Sequence, residues 1–227
     1  WGAAGSAALA ALGDRRHEHD PEYVPLPLPN VWLGVTAERQ QEADERIPIL
    51  LDTPAAKRFV SIEPMLGAVD LCRLSCADPT EVAQYERGEI DGVGGHYIDA
   101  LTGDAWDDVN GGLNAEVWGE DSDQPPHLDW VISGGETGRG ARPRHPDWSR
   151  SLRDQCAAAG IPYFDKQHGE WAPLGRAGGL WPDDTPTACR LRIDGSRGPG
   201  GWPMQRVGKA IAGHLLDGVE HHAFPER

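Results

Sequence analysis

The sequence predicts an α/β protein with a mostly parallel sheet, and three observations support this fold class. Short apolar runs rich in β-forming residues alternate along the chain with segments whose apolar residues recur at helical spacing. The order strand, helix, strand, insertion, strand, helix, strand is typical of parallel strands joined by crossover helices. Four predicted strands in 227 residues are too few for a closed eight-stranded barrel, so the pattern fits an open sheet or half of a barrel.

The predicted strands are short apolar runs bounded by proline, glycine or charged residues, and they cover 30–36, 57–63, 128–133 and 161–164. The predicted helices have apolar residues three or four positions apart, and they cover 38–52, 146–159 and about 206–216. Pro48 predicts a kink or a break in the first helix, Pro146 lies in the first turn of the second, and Gly160 ends that helix. In the last helix, Val207, Ile211 and Leu215 share one predicted apolar face.

Three stretches do not follow this alternation. Residues 1–29 are expected to form a weak helix and a proline-rich linker, ahead of a domain over 30–225. Residues 72–127 are acidic and rich in turn signals, which predicts an insertion with a hairpin around Tyr97–Trp106. Residues 175–201 hold many glycine, proline and arginine residues and are expected to be a loop.

Composition narrows the classes of function. The net charge of −15 disfavours general nucleic-acid or anionic-membrane binding, because both need a basic surface. No apolar run approaches the about 20 residues of a membrane span, and residues 1–13 lack the basic start of a signal peptide. Four cysteines in a chain of this length favour a reduced, cytoplasmic setting.

The candidate site lies where the predicted strands end. Polar residues follow the strands, and in a parallel sheet these positions meet at one rim; they are Glu38, Glu63, Glu136, Lys166 and Gln167, with Arg139 nearby. Such a set could bind a cationic or zwitterionic ligand or carry out acid–base chemistry. The alternative is that polar residues simply mark strands reaching the surface.

The segment from Gly134 to Arg144 adds to this site. Gly134 and Gly135 allow a ligand close to the backbone, although paired glycines are also common in ordinary turns. Arg142 and Arg144 alternate with other residues, so both are expected on one side as a fork for phosphate or carboxylate. Surface ion pairs with the acidic insertion are the favoured alternative.

No metal site and no catalytic residue is predicted. Cys72 and Cys76 have the spacing of two ligands of an iron–sulfur cluster, but the third position is Pro79. The His17–His19 and His221–His222 pairs have no cysteine at zinc-finger spacing, so solvated surface is the expectation.

Several motifs together resemble an uncharacterised phage and bacterial protein family that is related to radical S-adenosylmethionine enzymes. They are NVWLGVT at 30–36, ADERIP at 43–48, RFVSIEP at 58–64, LDWVISGGETG at 128–138, HPDW at 145–148, RDQC at 153–156 and KQ at 166–167. The resemblance implies a partial (β/α) barrel of radical-enzyme type, and S-adenosylmethionine and a [4Fe–4S] cluster for the intact family. It implies that Gly134, Gly135 and Glu136 bind the methionine amino group, and Lys166 is the expected cationic partner of Glu136.

This sequence departs from the family in one respect, since it lacks the cysteine triplet that holds the cluster. The resemblance therefore implies a fragment, the carboxyl-terminal half of a radical enzyme of unknown substrate, with no cofactor of its own and no activity alone. Half a barrel should also expose an open edge and an apolar face through which it could self-associate. The alternative function is a non-catalytic α/β module that binds a small anion or a protein partner.

Overall fold

The computed structural model describes residues 27–76, 87–88, 96–107, 125–174 and 187–226. Four strands form an all-parallel sheet, and their order across the sheet is the same as their order along the chain. They are β1 (Trp32–Thr36), β2 (Lys57–Ile62), β6 (Trp130–Ser133) and β7 (Tyr163–Asp165). The predicted α/β class with a mostly parallel sheet is confirmed, and the sheet is open within the described residues. The helix expected near the amino terminus falls in residues 1–26, outside this description.

Two helices connect these strands. Helix α1 (Gln40–Asp52) is continuous through Pro48, so the predicted break is wrong. Proline lacks the backbone N–H that would continue the helical hydrogen bonding. The free-energy cost of this loss is offset by the burial of four apolar side chains of the helix, which are Ala43, Ile47, Leu50 and Leu51. Helix α2 (Pro146–Ala159) matches the prediction, with His145 as its N-cap and Gly160 in the left-handed conformation at its end.

The two faces of the sheet differ because side chains alternate along each strand. One face carries Val60, Ile62 and Val131, which are buried in the core together with the apolar sides of α1 and α2. The other face carries a half-buried aromatic group in which Trp130 is the centre. Its ring lies 4.9–6.2 Å from the rings of Trp32, Phe59, Phe164 and Phe224.

The β7 edge of the sheet is covered by the carboxyl-terminal segment. Residues 221–223 run antiparallel to β7: Phe164 and His222 form a bridge, and the Asp165 amide donates to the His221 carbonyl at 2.7 Å. The Ala223 amide donates to the Tyr163 carbonyl at 3.2 Å. The backbone groups of β7 therefore have partners on both sides.

Two small antiparallel sheets flank the parallel one. Strands β3 (Leu74–Ser75), β4 (His96–Ile98) and β5 (Ala105–Asp107) lie within the acidic insertion, and β4 with β5 forms the predicted hairpin. The second sheet holds β8 (Trp171–Pro173), β9 (Ala188–Leu191) and β10 (Trp202–Arg206), in the order β8-β10-β9. Both small sheets pack apolar residues into the same core as the parallel sheet.

The second small sheet corrects two predictions. Part of the segment 175–201 is a strand, because Cys189 and Leu191 alternate into the core. The predicted helix over about 206–216 is only the single turn α3 (Lys209–Ala212), since Gly208 and Gly213 have positive φ. Ile211 is 76% exposed and Leu215 is 49% exposed, so their helical spacing does not mark a buried face. None of the described helices is long and apolar enough to cross a membrane.

Candidate functional site

The carboxyl ends of β2, β6 and β7 bring the central predicted residues together, around Glu63. Lys166 Nζ lies 3.0 Å from Glu63 Oε2, and Gln167 Nε2 donates to Glu63 Oε1 at 3.0 Å. These residues follow strands that are not sequence neighbours, so the parallel topology creates the cluster. The Glu63 side chain is 19% exposed and that of Lys166 is 53% exposed, so the pair lies at the surface of the rim.

The two positions after β6 must be glycine because neighbouring residues approach their backbone too closely for a Cβ atom. A Cβ atom on Gly134 would lie 2.8 Å from Glu63 Cδ, and one on Gly135 would lie 1.9 Å from the His168 carbonyl oxygen. The Gly135 amide donates to the Gln167 carbonyl at 2.8 Å, which joins the two loops by backbone. The glycines therefore let the loops after β6 and β7 meet at the rim.

Glu136 has a different partner from the one predicted. Arg142 donates to both of its carboxylate oxygens, from Nε at 2.8 Å and from Nη2 at 2.9 Å, and the Arg142 amide adds a third bond at 2.7 Å. These bonds lower the pKa of Glu136. The expectation that Lys166 neutralises Glu136 is wrong, since Lys166 contacts Glu63 instead.

The remaining predicted rim residues are apart from this cluster. Glu38 pairs with Arg46 at 3.3 Å, beside Thr36 at the end of β1. Arg139 is exposed on the loop that follows β6. The predicted rim therefore separates into a Glu63–Lys166–Gln167 cluster, a Glu136–Arg142 pair and a Glu38–Arg46 pair.

The Arg144 side chain is buried, although the alternating sequence pattern predicts that it points the same way as Arg142. Its Nη1 donates to Asp165 Oδ1 at 2.6 Å and its Nη2 to Asp165 Oδ2 at 3.1 Å. Ser133 Oγ is 3.1 Å from Asp165 Oδ1 and 2.7 Å from the Tyr163 hydroxyl. This buried network lies under the rim, on the helix-covered face of β6 and β7, and sequence reasoning missed it.

His168 joins the buried network to the carboxyl-terminal segment. Its Nδ1 accepts from Arg144 Nη2 at 3.1 Å, which leaves the proton of the neutral ring on Nε2 to be donated to the Leu215 carbonyl at 2.9 Å. Burial, together with the positive charge of Arg144, lowers the pKa of His168. The ring is therefore held neutral and in one tautomer.

The cysteines of the described residues do not fit a [4Fe–4S] cluster. Burial raises the pKa of Cys72 to about 11 and that of Cys76 to about 12, and Asp70, Asp99 and Asp44 add to these shifts. Cluster ligands are thiolates, which an acidic and partly buried setting disfavours. Cys156 and Cys189 are buried in the core.

Comparison with known proteins identifies a family. Residues 7–225 match the family described as a protein of unknown function, DUF5131, and the chain belongs to this family. No curated protein gives a significant match. No solved structure gives one either.

Proposed function

We propose that the rim of this DUF5131 member binds a small zwitterionic ligand, and that Glu63 and Lys166 are its two anchors. The observation that carries the proposal is the contact of Glu63 with both Lys166 and Gln167 at the carboxyl end of the parallel sheet. Functional sites of parallel α/β proteins lie outside the carboxyl ends of the strands. S-Adenosylmethionine is the candidate ligand, because the sequence motifs resemble a family whose implied cofactor is this molecule and because its methionine part is zwitterionic.

The exposure of the two anchors suits an exchange of partners. The Lys166 ammonium group is half exposed, and an ion pair of this kind contributes only about 0–1 kcal/mol to stability. A ligand ammonium group can therefore replace it on Glu63 Oε2, while Lys166 turns to the ligand carboxylate. Gln167 is buried and keeps Glu63 Oε1 in place during the exchange.

Glu63 is a better anchor than Glu136, to which the sequence resemblance assigns the ligand amino group. Three hydrogen bonds from Arg142 already occupy both carboxylate oxygens of Glu136. A ligand would have to displace a bidentate guanidinium from Glu136, but only a single lysine contact from Glu63.

The proposed role of the rim is to bind and orient the ligand. When bound, a [4Fe–4S] cluster would supply the electron that cleaves S-adenosylmethionine. The described cysteines do not fit such a cluster, so no reaction step is assigned to this chain. Its own residues hold the ligand carboxylate at Lys166 and the ligand ammonium group at Glu63.

A second candidate function is a non-catalytic module for a small anion. The half-exposed side chains of Lys166 and Arg142 favour this second function, since each could donate hydrogen bonds to a phosphate or a carboxylate. Such binding needs no ammonium group on the ligand. The two functions differ in their need for Glu63, which would repel an anion and attract a zwitterion.

Calorimetric titration with S-adenosylmethionine, methionine and inorganic phosphate tests both candidates. We expect Glu63→Gln to weaken the binding of S-adenosylmethionine at least about tenfold, which is about 1.4 kcal/mol, and Lys166→Met to do the same. The matched control is Lys57→Met, which removes a lysine ion pair, with Asp129 at 2.9 Å, from the opposite end of β2. This control should bind as wild type does.

Two results would contradict the zwitterion proposal. One is wild-type protein that binds neither S-adenosylmethionine nor methionine. The other is phosphate binding that becomes tighter in Glu63→Gln and is lost in Lys166→Met, which would support the anion module instead.

A further inference from the structure

We propose that His214, Glu220 and His222 form a binding site for a divalent transition-metal ion of the zinc type. His214 Nε2 and His222 Nδ1 each lie 3.0 Å from Glu220 Oε1. The three potential ligand atoms all lie within 4.8 Å of one another. The site is separate from the rim around Glu63 and does not depend on the function proposed for that rim.

A tight turn brings the three residues together. The amide and carbonyl groups of Leu216 and Val219 bond to each other at 3.0 Å in both directions. Asp217 and Gly218 between them have φ of 55° and 81°, the pair of positive values that a two-residue type I′ hairpin requires. The chain thus folds back, and His214 on one arm lies beside Glu220 and His222 on the other.

The turn is attached to helix α2. Arg150 Nε donates to both carboxylate oxygens of Asp217 at 3.0 Å, and Arg153 Nη1 donates to Asp217 Oδ2 at 2.9 Å. These arginines lower the pKa of Asp217 to about 2, so the carboxylate is charged at all ordinary pH values. The turn is consequently held in place without any help from a metal ion.

Ring stacking orients the two imidazoles. The His222 ring stacks on Phe164 of β7 with a centroid distance of 4.4 Å and an interplanar angle of 13°. The His214 ring stacks on the other histidine at 5.2 Å and 21°. The His222 backbone is also paired with β7, so this ring is held against the sheet. The lone pair of an imidazole nitrogen lies in the plane of its ring, so a bound ion requires the His214 ring to turn out of the stack.

The donor set matches the chemistry of zinc. Two imidazole nitrogens and one carboxylate oxygen are a known ligand set of catalytic zinc sites, which keep a fourth position open. Ligand atoms about 2.1 Å from a tetrahedral ion are about 3.4 Å apart. The 3.0 Å contacts here are slightly shorter, so a bound ion requires the groups to separate by a few tenths of an ångström.

The surroundings leave room for a further ligand. Glu220 and His222 line a cleft of about 540 Å³ between the carboxyl-terminal segment and the end of α2. Arg153 also lines this cleft and supplies a positive charge to it. A metal at the three residues would therefore meet solvent or a small anionic ligand there.

Calorimetric titration of the untagged protein with zinc chloride tests the site. We expect one zinc ion per chain, with affinity falling about 100-fold in His214→Ala and in His222→Ala. The matched control is His221→Ala, since His221 is adjacent in sequence but is not one of the three grouped residues, and its ring centroid lies 5.9 Å from that of Tyr163. Magnesium should not displace zinc, because it prefers oxygen ligands.

Thermal unfolding of the same proteins provides a second measurement. Without metal, the two alanine variants should unfold within a few degrees of wild type, since all three side chains are partly exposed. Saturating zinc should raise the unfolding temperature of wild type and His221→Ala only. Zinc binding that is equal in wild type and His222→Ala, or absent from wild type, would overturn the proposal and show that Glu220 serves only as an ion-pair partner.

Discussion

Arg144 and Asp165 form a bidentate ion pair with side chains that are only 2% and 0% exposed to solvent. The pair connects the loop that enters α2 to the last residue of β7. Ser133 and His168 occupy further hydrogen-bonding positions of the two groups, so the charges are surrounded by polar partners. Removing one member would leave the other charge buried and without its counter-charge.

Asp165→Asn is therefore expected to lower the free energy of unfolding by about 3–5 kcal/mol, because it leaves the Arg144 guanidinium without its counter-ion. Urea denaturation monitored by tryptophan fluorescence measures this change. Asp129→Asn is the matched control, since Asp129 pairs with Lys57 at the partly exposed end of β2 and should lose only about 1 kcal/mol. Equal losses in the two variants would show that the buried pair has no special role.

The pKa of His168 predicts an acid sensitivity of folding. Because burial and Arg144 hold this pKa below the ordinary 6.5, the unfolded chain takes up a proton before the folded chain does as the pH falls. Stability should thus be fully present above about pH 6.5 and decline below it, by at most about 1.4 kcal/mol per pH unit from this residue. The decline should end at the pKa of the folded state.

Urea denaturation at several pH values between about 7.5 and 5.5 measures this dependence. The charged and titratable groups facing His168 are Arg144, Asp165 and His214. His168→Gln keeps a hydrogen-bond acceptor and a donor but does not titrate, so its stability should vary less over this range. If the free energy of unfolding of His168→Gln depends on pH as that of wild type does, other groups cause the acid sensitivity.

Gly135→Ala is expected to destabilise the fold by about 3 kcal/mol or more. The new methyl group would lie 1.9 Å from the His168 carbonyl oxygen and 2.4 Å from its carbon, and neither can move without separating the loops after β6 and β7. Gly140→Ala is the control, because a Cβ there meets nothing within 4 Å. Thermal unfolding of both variants should show a large shift for the first and almost none for the second.

The parts that could be predicted from sequence are those with a local signal. Pro146, the apolar repeat through Trp148 and Leu152, and Gly160 predict α2 at its observed bounds. Glu63, Lys166 and Gln167 follow apolar strands, and the rule that parallel strands end at one rim places them together. These residues could be found because each lies at a boundary that the local pattern marks.

The residues that escaped prediction have partners far along the chain. Arg142 and Arg144 are equivalent in local pattern, but one reaches Glu136 at the surface and the other reaches the buried Asp165. Nothing near Arg144 in sequence indicates a partner 21 positions away. The choice depends on how α2 lies against β7, which is a property of the assembled sheet.

The carboxyl-terminal hairpin did leave a signal that the helical pattern obscured. Asp217-Gly218 is a strong indicator of a two-residue hairpin turn. Val207, Ile211 and Leu215 also recur at helical spacing, and that pattern predicts the longer helix that the structure lacks. Giving the turn signal priority would have placed His214 near Glu220 and His222.

The pairing of residues 221–223 with β7 has a consequence for the order in which the chain becomes complete during synthesis. β7 leaves the ribosome well before the segment that covers its outer edge, and the two are joined by a bridge from Phe164 to His222. Until that segment emerges, the outer backbone N–H and C=O groups of β7 can pair with another extended chain, including a neighbouring nascent copy. Pairing of residues 221–223 with β7 thus ends the sheet within one molecule, whereas a delay in this pairing allows the sheet to extend into another molecule.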